Sequence, residues 1–436
     1  MSTKSEIISA LEHDQESQTK LLQSFVRAAS PNPPGNTQLA AKVLTDYLTS
    51  KNIPYETIEP KPGYPNIVSE FSGGNGSGPR VVLNGHIDVF PVEETAPGWN
   101  RDPWSGDLVD GRVHGRGVVD MKSGTASLVI AYACLYARRE SLSGSVALCA
   151  VSDEETGGRW GTQYLIEEDK SRWGGDVMLS TEPTGQTIRF SEKGTLRLSG
   201  TVTTKAAHGA YLNLSKGAIR TAAEFLNAVV EDVEGIEPNP PPQIAKYLTD
   251  PKVLAVVDEA MGPNTSSIIA RPTVNIGTIK GGVKVNMIPN LCTFELDIRL
   301  PVGLVASNVM TVLESAALKY PNAKIELTKQ DAASNPASFS PVDHPIIDLI
   351  KENAEKAGAS HAIAIPSMGA TDCKHYRYAD IPAYAYGCSP LSMASVNESA
   401  SLDEFFHVTK VHASTVWDYL GKRESHRSLA KDSRLV

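Results

Sequence analysis

Two hydrophobic rhythms share this chain, and the second interrupts the first. From about residue 5 to 190, helical stretches alternate with short, nearly continuous apolar runs. Ile7 to Phe25 and Thr37 to Leu48 carry apolar residues at helical spacing. Ser123 to Tyr136 is small and apolar on most faces, as a helix packed into a core must be. Asn66-Ile-Val-Ser-Glu-Phe, Arg80-Val-Val-Leu-Asn-Gly, Ser145-Val-Ala-Leu-Cys-Ala-Val-Ser and Val177-Met-Leu-Ser-Thr-Glu read as strands. Buried strands alternating with helices predict an α/β sandwich with a mostly parallel sheet.

The rhythm changes near Gly194. Thr195 to Thr203 alternates apolar and polar residues, the mark of a strand with one wet face. A striped helix (Ala218 to Val233), strands Thr273 to Ile279 and Cys292 to Leu300, a helix from Ser307 to Lys319, and Lys324-Ile-Glu-Leu-Thr follow. That β-α-β-β-α-β order predicts a ferredoxin-like α+β module, with the Pro-rich stretch from Glu237 to Pro242 as an insertion inside it. The first rhythm then returns in helix His344 to Ala357, strand Ala383-Tyr-Ala-Tyr-Gly and helix Leu402 to Leu420. The expected division is 1–194 with 320–436 as one α/β domain, interrupted by 195–319.

Composition narrows the function classes. The chain has 436 residues, 41% hydrophobic and 21% charged, which is globular and long enough for more than one domain. A formal charge of −9 argues against nucleic acid or an anionic membrane as partner. The five cysteines are scattered and never form a CxxC pair, which fits reduced thiols rather than a disulfide frame. The polar N-terminus lacks the apolar core of a signal peptide, no apolar run approaches the roughly 20 residues of a membrane span, and the tail SRLV is not a peroxisomal address. A cytoplasmic location is the expectation.

In open α/β sheets chemistry gathers at the carboxyl ends of strands. Four runs here end in residues that bind metals or move protons. His86 and Asp88 lie two apart in Asn84-Gly-His86-Ile-Asp88; a carboxylate beside an imidazole can fix the tautomer of a metal-ligating histidine. Asp120 precedes a helix and suits either an N-cap or a carboxylate shared by two cations. Asp153, Glu154 and Glu155 are consecutive carboxylates after a buried strand, mutually repulsive unless a cation or proton offsets them, although Asp153 alone would pass as a solvated turn residue. Glu182 ends the fourth run. One histidine with carboxylates and no cysteine suits Zn²⁺, Co²⁺ or Mn²⁺.

These residues resemble the M20 family of zinc-dependent peptidases and deacylases. The resemblance is carried by NGHIDVFP, Trp99, DPWSGDLVDGRVHGRGVVDMKSG, SDEETGG, EPTG, AAHGA, VNMIPNLCTFELDIRLP and GATDCKHYR, over nearly the whole chain. It implies a catalytic α/β domain with an inserted lid and dimerisation domain, and a homodimer formed through that lid. It further implies one or two zinc ions per chain. His86 and Glu182 would hold one, Glu155 the other, with Asp120 bridging and Asp88 orienting His86. Glu154 would be the general base, and His208 in the lid the stabiliser of the oxyanion. Asn286 and Arg299 would lie near a substrate carboxylate, with a structural ion pair the competing account of Arg299; Thr371 and Asp372 would also line the substrate. The substrate expected is a small carboxylate-bearing amide, an N-acyl amino acid or a dipeptide.

One departure stands out. The family's last ligand is a histidine four residues before a glutamate, and in Ser392-Met-Ala394-Ser-Val-Asn397-Glu398 that place is Ala394. His375 might substitute or be an ordinary surface histidine. Alternatively, one tight zinc suffices with hydrolysis retained, or the scaffold performs synthase, cyclising or lyase chemistry. The remaining histidines read blandly: His13, His344, His361 and His426 as solvated, His407 and His412 as packing or capping the last helix. Cys373 and Cys388 read as small buried thiols.

Overall fold

The computed structural model describes residues 3–74, 76–92, 98–360 and 362–421; His361 and His426 lie outside them. Within these, the chain forms two compact units. One takes in the chain up to Phe190, Ser340–Ile365 and the chain from Thr371; the other is Ser191–Phe339 with Pro366–Ala370.

In the larger unit Arg80–His86 runs parallel to both Ser145–Val151 and Val177–Ser180, and Val177–Ser180 runs parallel to Ala383–Ala385. Antiparallel Asn66–Ser72 and Glu56–Ile58 extend the sheet beyond Ser145–Val151. The parallel strands are almost wholly buried, which is why their sequences are continuous apolar runs rather than alternations. Ser123–Tyr136 is the core helix expected, with Leu128, Val129, Ala131, Tyr132 and Leu135 inaccessible to solvent. Together with the preceding turn it makes a 19-residue stretch, Val118–Tyr136, that is apolar enough to cross a membrane, contrary to the expectation from sequence; 89% of its apolar window is buried inside the protein, so its hydrophobicity serves the core.

Boundaries differ in instructive ways. The single helix expected over Ile7 to Phe25 is two, Lys4–His13 and Gln15–Arg27, broken at Asp14. Both halves keep the apolar stripe, so periodicity alone could not reveal the break.

The smaller unit has the expected β-α-β-β-α-β order around an antiparallel sheet: Thr273–Gly281, Leu291–Leu300, Gly194–Thr203, Lys324–Lys329 across its width. Helices Ala218–Glu234 and Ala306–Ala317 supply Phe225, Val229, Val309 and Leu313 to a core with Leu196, Leu198, Phe294 and Ile298. Lys324–Lys329 pairs with Gly194–Thr203, so this unit continues past residue 319, to Phe339. The Pro-rich insertion opens three short helices that the sequence reading missed, Pro242–Tyr247, Pro251–Met261 and Thr265–Ile268.

Candidate metal centre

The parallel strands bring their carboxyl ends to one edge of the sheet. His86 is the last residue of Arg80–His86, Ser152 to Glu155 follow Val151, and Glu182 lies two residues beyond Ser180. Strand order therefore gathers residues that are far apart in sequence.

His86 is 1% exposed, and its ring is fixed by a single contact. Nδ1 donates to the main-chain oxygen of Asp88 at 2.8 Å. A carbonyl oxygen only accepts, so Nδ1 carries the proton and the neutral ring presents a lone pair at Nε2. That lone pair faces Asp120 Oδ1 at 3.2 Å, Glu182 Oε1 at 3.9 Å and Glu154 Oε2 at 4.0 Å. One ligand atom each from His86, Asp120 and Glu155 lie within 4.8 Å of one another. Glu155 Oε1 is buried without a hydrogen-bond partner among the described residues.

Electrostatics point the same way. Burial first, then neighbouring carboxylates, push Glu154 and Glu155 far above the usual carboxylate range; His86 opposes the shift at both. Glu182 is likewise raised well above it, chiefly by burial, despite His86. Burial pulls His86 down, but the acceptors on Asp120 and Asp88 outweigh it and leave the imidazole well above its ordinary value. Carboxylates facing a lone pair and one another hold together through shared protons or a cation. One nitrogen and several carboxylate oxygens, one of them orphaned, make a donor set that fits a divalent metal.

Asp88 takes a different part from the one expected. Its carboxylate stands 3.6 Å from His86 Nδ1, which is satisfied instead by the Asp88 carbonyl. The carboxylate accepts from the main-chain N–H of Glu154 at 3.2 Å and of Glu155 at 3.1 Å, holding the acidic turn in place. Asn32 Nδ2, not foreseen from sequence, donates to Asp88 Oδ2 at 2.8 Å and reaches Asp153 Oδ1 at 3.3 Å. Asp153 is buried rather than solvated: Trp160 N–H and Thr156 Oγ1 donate to it, and its own backbone is left-handed at φ 79°. A Ser-Pro-Asn-Pro-Pro string offers no signal that its asparagine will brace two aspartates elsewhere.

His375 does not join the cluster. Its Nε2 donates to the Gly157 carbonyl at 3.0 Å, and burial, followed by Lys374, holds the ring neutral, with its pKa pushed down to about 3. Asp372 beside it accepts from Thr162 Oγ1 at 2.7 Å; Thr371 O accepts from Lys374 Nζ at 3.2 Å. Ala394 is exposed with φ 58°. Of the histidines read as bland, His13 is exposed, His344 caps Pro345–Lys356 by accepting from Ile346 N–H, and His407 and His412 are buried in the last helix. Cys373 and Cys388 are buried free thiols.

Of the residues expected in the inserted domain, His208 and Asn286 are neighbours within the smaller unit. His208 pairs with Met287 across a short ladder, and Gly209 N–H donates to Asn286 O at 2.8 Å. His208 Nδ1 accepts from Ala210 N–H at 3.2 Å, so the neutral ring has its N–H at Nε2, on an exposed side chain. Arg299 takes the structural alternative: Nε and Nη2 meet the two oxygens of Asp297 at 2.9 and 3.0 Å, and Nη1 donates to Thr195 Oγ1 at 3.2 Å. Its fork is already used, which argues against a free clamp for a substrate carboxylate.

Comparison with known proteins agrees with this geometry. Residues 82–418 match the sequence profile of Peptidase family M20/M25/M40, so the chain belongs to that family of metallohydrolases. Among named relatives, it is 27% identical over 408 residues to the succinyl-diaminopimelate desuccinylase of Methylobacterium nodulans, covering 90% of this chain and 93% of that one. Among solved structures, the fold matches the M20 family metallo-carboxypeptidase Sso-CP2 of Sulfolobus solfataricus (TM-score 0.75, 18% identity, 92% and 99% of the two chains). It also matches the Bacillus subtilis YXEP protein, described as a dinuclear metal binding peptidase of this family (TM-score 0.63, 15% identity, 94% and 100%). Metal-dependent amide hydrolysis is the activity this membership supports.

Proposed function

We propose that the protein hydrolyses the amide bond of a small carboxylate-bearing substrate, an N-acyl amino acid or a dipeptide, with zinc held by His86, Asp120, Glu155 and Glu182. The observation that carries this is the convergence of the His86 Nε2 lone pair with carboxylates of Asp120, Glu154 and Glu182. A bound divalent cation supplies Lewis acidity, acidifying water and polarising a carbonyl. Burial keeps Glu154 proton-hungry, which suits a group that takes a proton from water and returns it to the leaving amine. His208, with N–H at Nε2, is the donor proposed for the developing oxyanion, and Asn286 beside it the further polar contact.

Elemental analysis of the purified protein, paired with assays on a panel of N-acyl amino acids and dipeptides, tests the reading. Bound zinc with turnover is expected; a metal-loaded protein inert across the panel would sink it.

A second reading has one observation in its favour. Among the described residues only His86 offers nitrogen to the cluster, because Ala394 replaces the family's last ligand and His375 donates elsewhere. Non-hydrolytic amide-forming, cyclising or lyase chemistry is therefore the alternative. Ala394→His separates the two, since histidine tolerates left-handed backbone better than most residues. A sharp rise in hydrolysis would mean that the native site does something slower or different.

A homodimer and a cytoplasmic setting complete the proposal. Thr273–Gly281 is an edge strand of the smaller unit with Ile276 and Ile279 exposed, which supports the first. Five free cysteines support the second. Sedimentation tests the one and fractionation the other: a monomer, or recovery with membranes or in the medium, would overturn it.

A further inference from the structure

The segment that has lost its histidine keeps a buried glutamate whose contacts lead back to the metal cluster. Glu398 is 1% exposed. Its Oε2 accepts from Arg116 Nη1 at 2.8 Å and Gly117 N–H at 3.1 Å. Its Oε1 accepts from Val119 N–H at 2.9 Å and, more weakly, Asp120 N–H at 3.4 Å. One side chain thus collects a cation and three consecutive-region amides of the loop that presents Asp120. The neighbours of Glu398 reinforce the join: Arg116 Nη1 also reaches Ser395 O at 3.2 Å, and Asn397 donates to Gly98 O and accepts from Asn100 N–H, both at 2.7 Å.

We infer that Glu398 is a positioning residue for Asp120: it fixes the 116–120 loop so that the Asp120 carboxylate meets His86. This rests on the reading of Asp120 as a metal ligand and goes beyond it, since nothing else assigns Glu398 a part. Charge-assisted hydrogen bonds are short and strong, so a carboxylate with several loop donors restricts that loop more than a neutral acceptor would. Removing it leaves Gly117 and Val119 amides buried without an acceptor and the Arg116 charge unpaired. The loop then relaxes towards water, and Asp120 moves with it. The same geometry accounts for a glutamate persisting four residues after a vanished ligand: it serves the first loop rather than the missing nitrogen.

The test is metal affinity of the full chain, measured with Co²⁺ alone in competition with a chelator, and read also in the visible Co²⁺ spectrum. Glu398→Ala is expected to weaken Co²⁺ about 10–100-fold, the range for losing a partner that orients a ligand. Glu398→Gln keeps one acceptor oxygen and should fall between it and the parent. Asp120→Asn is the control. If Asp120→Asn weakens Co²⁺ and the double variant Asp120→Asn, Glu398→Ala is no worse, the two act through one path. Additive losses, or Glu398→Ala within twofold of the parent, would overturn the positioning role while leaving Asp120 a ligand. Unchanged affinity in Asp120→Asn would overturn both readings. Should Glu398→Ala fail to fold, Glu398→Gln carries the comparison: an affinity and spectrum equal to the parent's would then count against the proposal.

Discussion

Two acidic regions of the larger unit differ in counter-charge. Around Glu398 each carboxylate oxygen has donors in place, including the Arg116 guanidinium. Around His86 the carboxylates of Asp120, Glu154 and Glu182 converge on a single imidazole, and Glu155 Oε1 has no donor among the described residues. Both regions are buried, so the contrast is one of completion rather than exposure. The Glu398 region is finished by the chain itself; the His86 region is finished only when something positive arrives. That separates a structural carboxylate from a functional cluster more sharply than sequence position or burial does.

The contrast can be broken most severely at Glu154. Glu154→Gln should lower kcat by about 10²–10⁴-fold while metal content stays at the parent level, because general acid–base catalysis is worth that much. Loss of metal along with activity would move Glu154 from the proton-transfer role to the ligand set.

Stripping the metal should come next in size. At free metal 1,000-fold above Kd, binding stabilises the folded state by about 4 kcal/mol, so chelation should lower the Tm measurably. The pH dependence sharpens this. Glu154, raised by burial from 4.5 to about 8, binds more protons folded than unfolded across that window. Metal-free protein should therefore lose stability as pH rises from 4.5 through 8, and restoring zinc should abolish that slope. A slope indifferent to metal in denaturation curves would count against the cluster as the metal site.

A buried histidine away from the cluster gives the opposite sign. His412 Nε2 donates to Tyr386 O at 2.8 Å, and burial, against that bond, pushes its pKa from 6.5 down to about 4. The unfolded chain binds the extra proton, so this contribution is present above pH 6.5 and fades as pH falls towards 4, by roughly 3 kcal/mol in all. His412→Gln, which keeps a donor for Tyr386 O, should flatten that acid limb; an unchanged limb would place it elsewhere.

The smallest effect is expected at Arg299. With its fork on Asp297 and about a third of its side chain exposed, Arg299→Gln should cost about 0–1 kcal/mol and leave KM within roughly threefold. A tenfold rise in KM would show that the guanidinium leaves Asp297 for the substrate.

Sequence alone determined the two folding styles, because burial on both faces and burial on one write different hydrophobic periods into a chain, and periods are local. It also exposed His86, Asp120, Glu154, Glu155 and Glu182, since charged residues directly after buried strands are costly enough to stand out. Tertiary structure decided which atoms meet. It gave His86 Nδ1 a main-chain acceptor instead of the Asp88 carboxylate, and spent Asp88 on the Glu154 and Glu155 amides. It brought Asn32 to Asp88 across 56 residues and Glu398 to Val119 across 279. It turned His375 towards Gly157 O and closed Arg299 on Asp297. None of these has a local signature: each is a hydrogen bond between groups that only the packing of strands and loops brings within reach, and a lone asparagine or glutamate looks the same in sequence whether it faces water or braces a metal ligand.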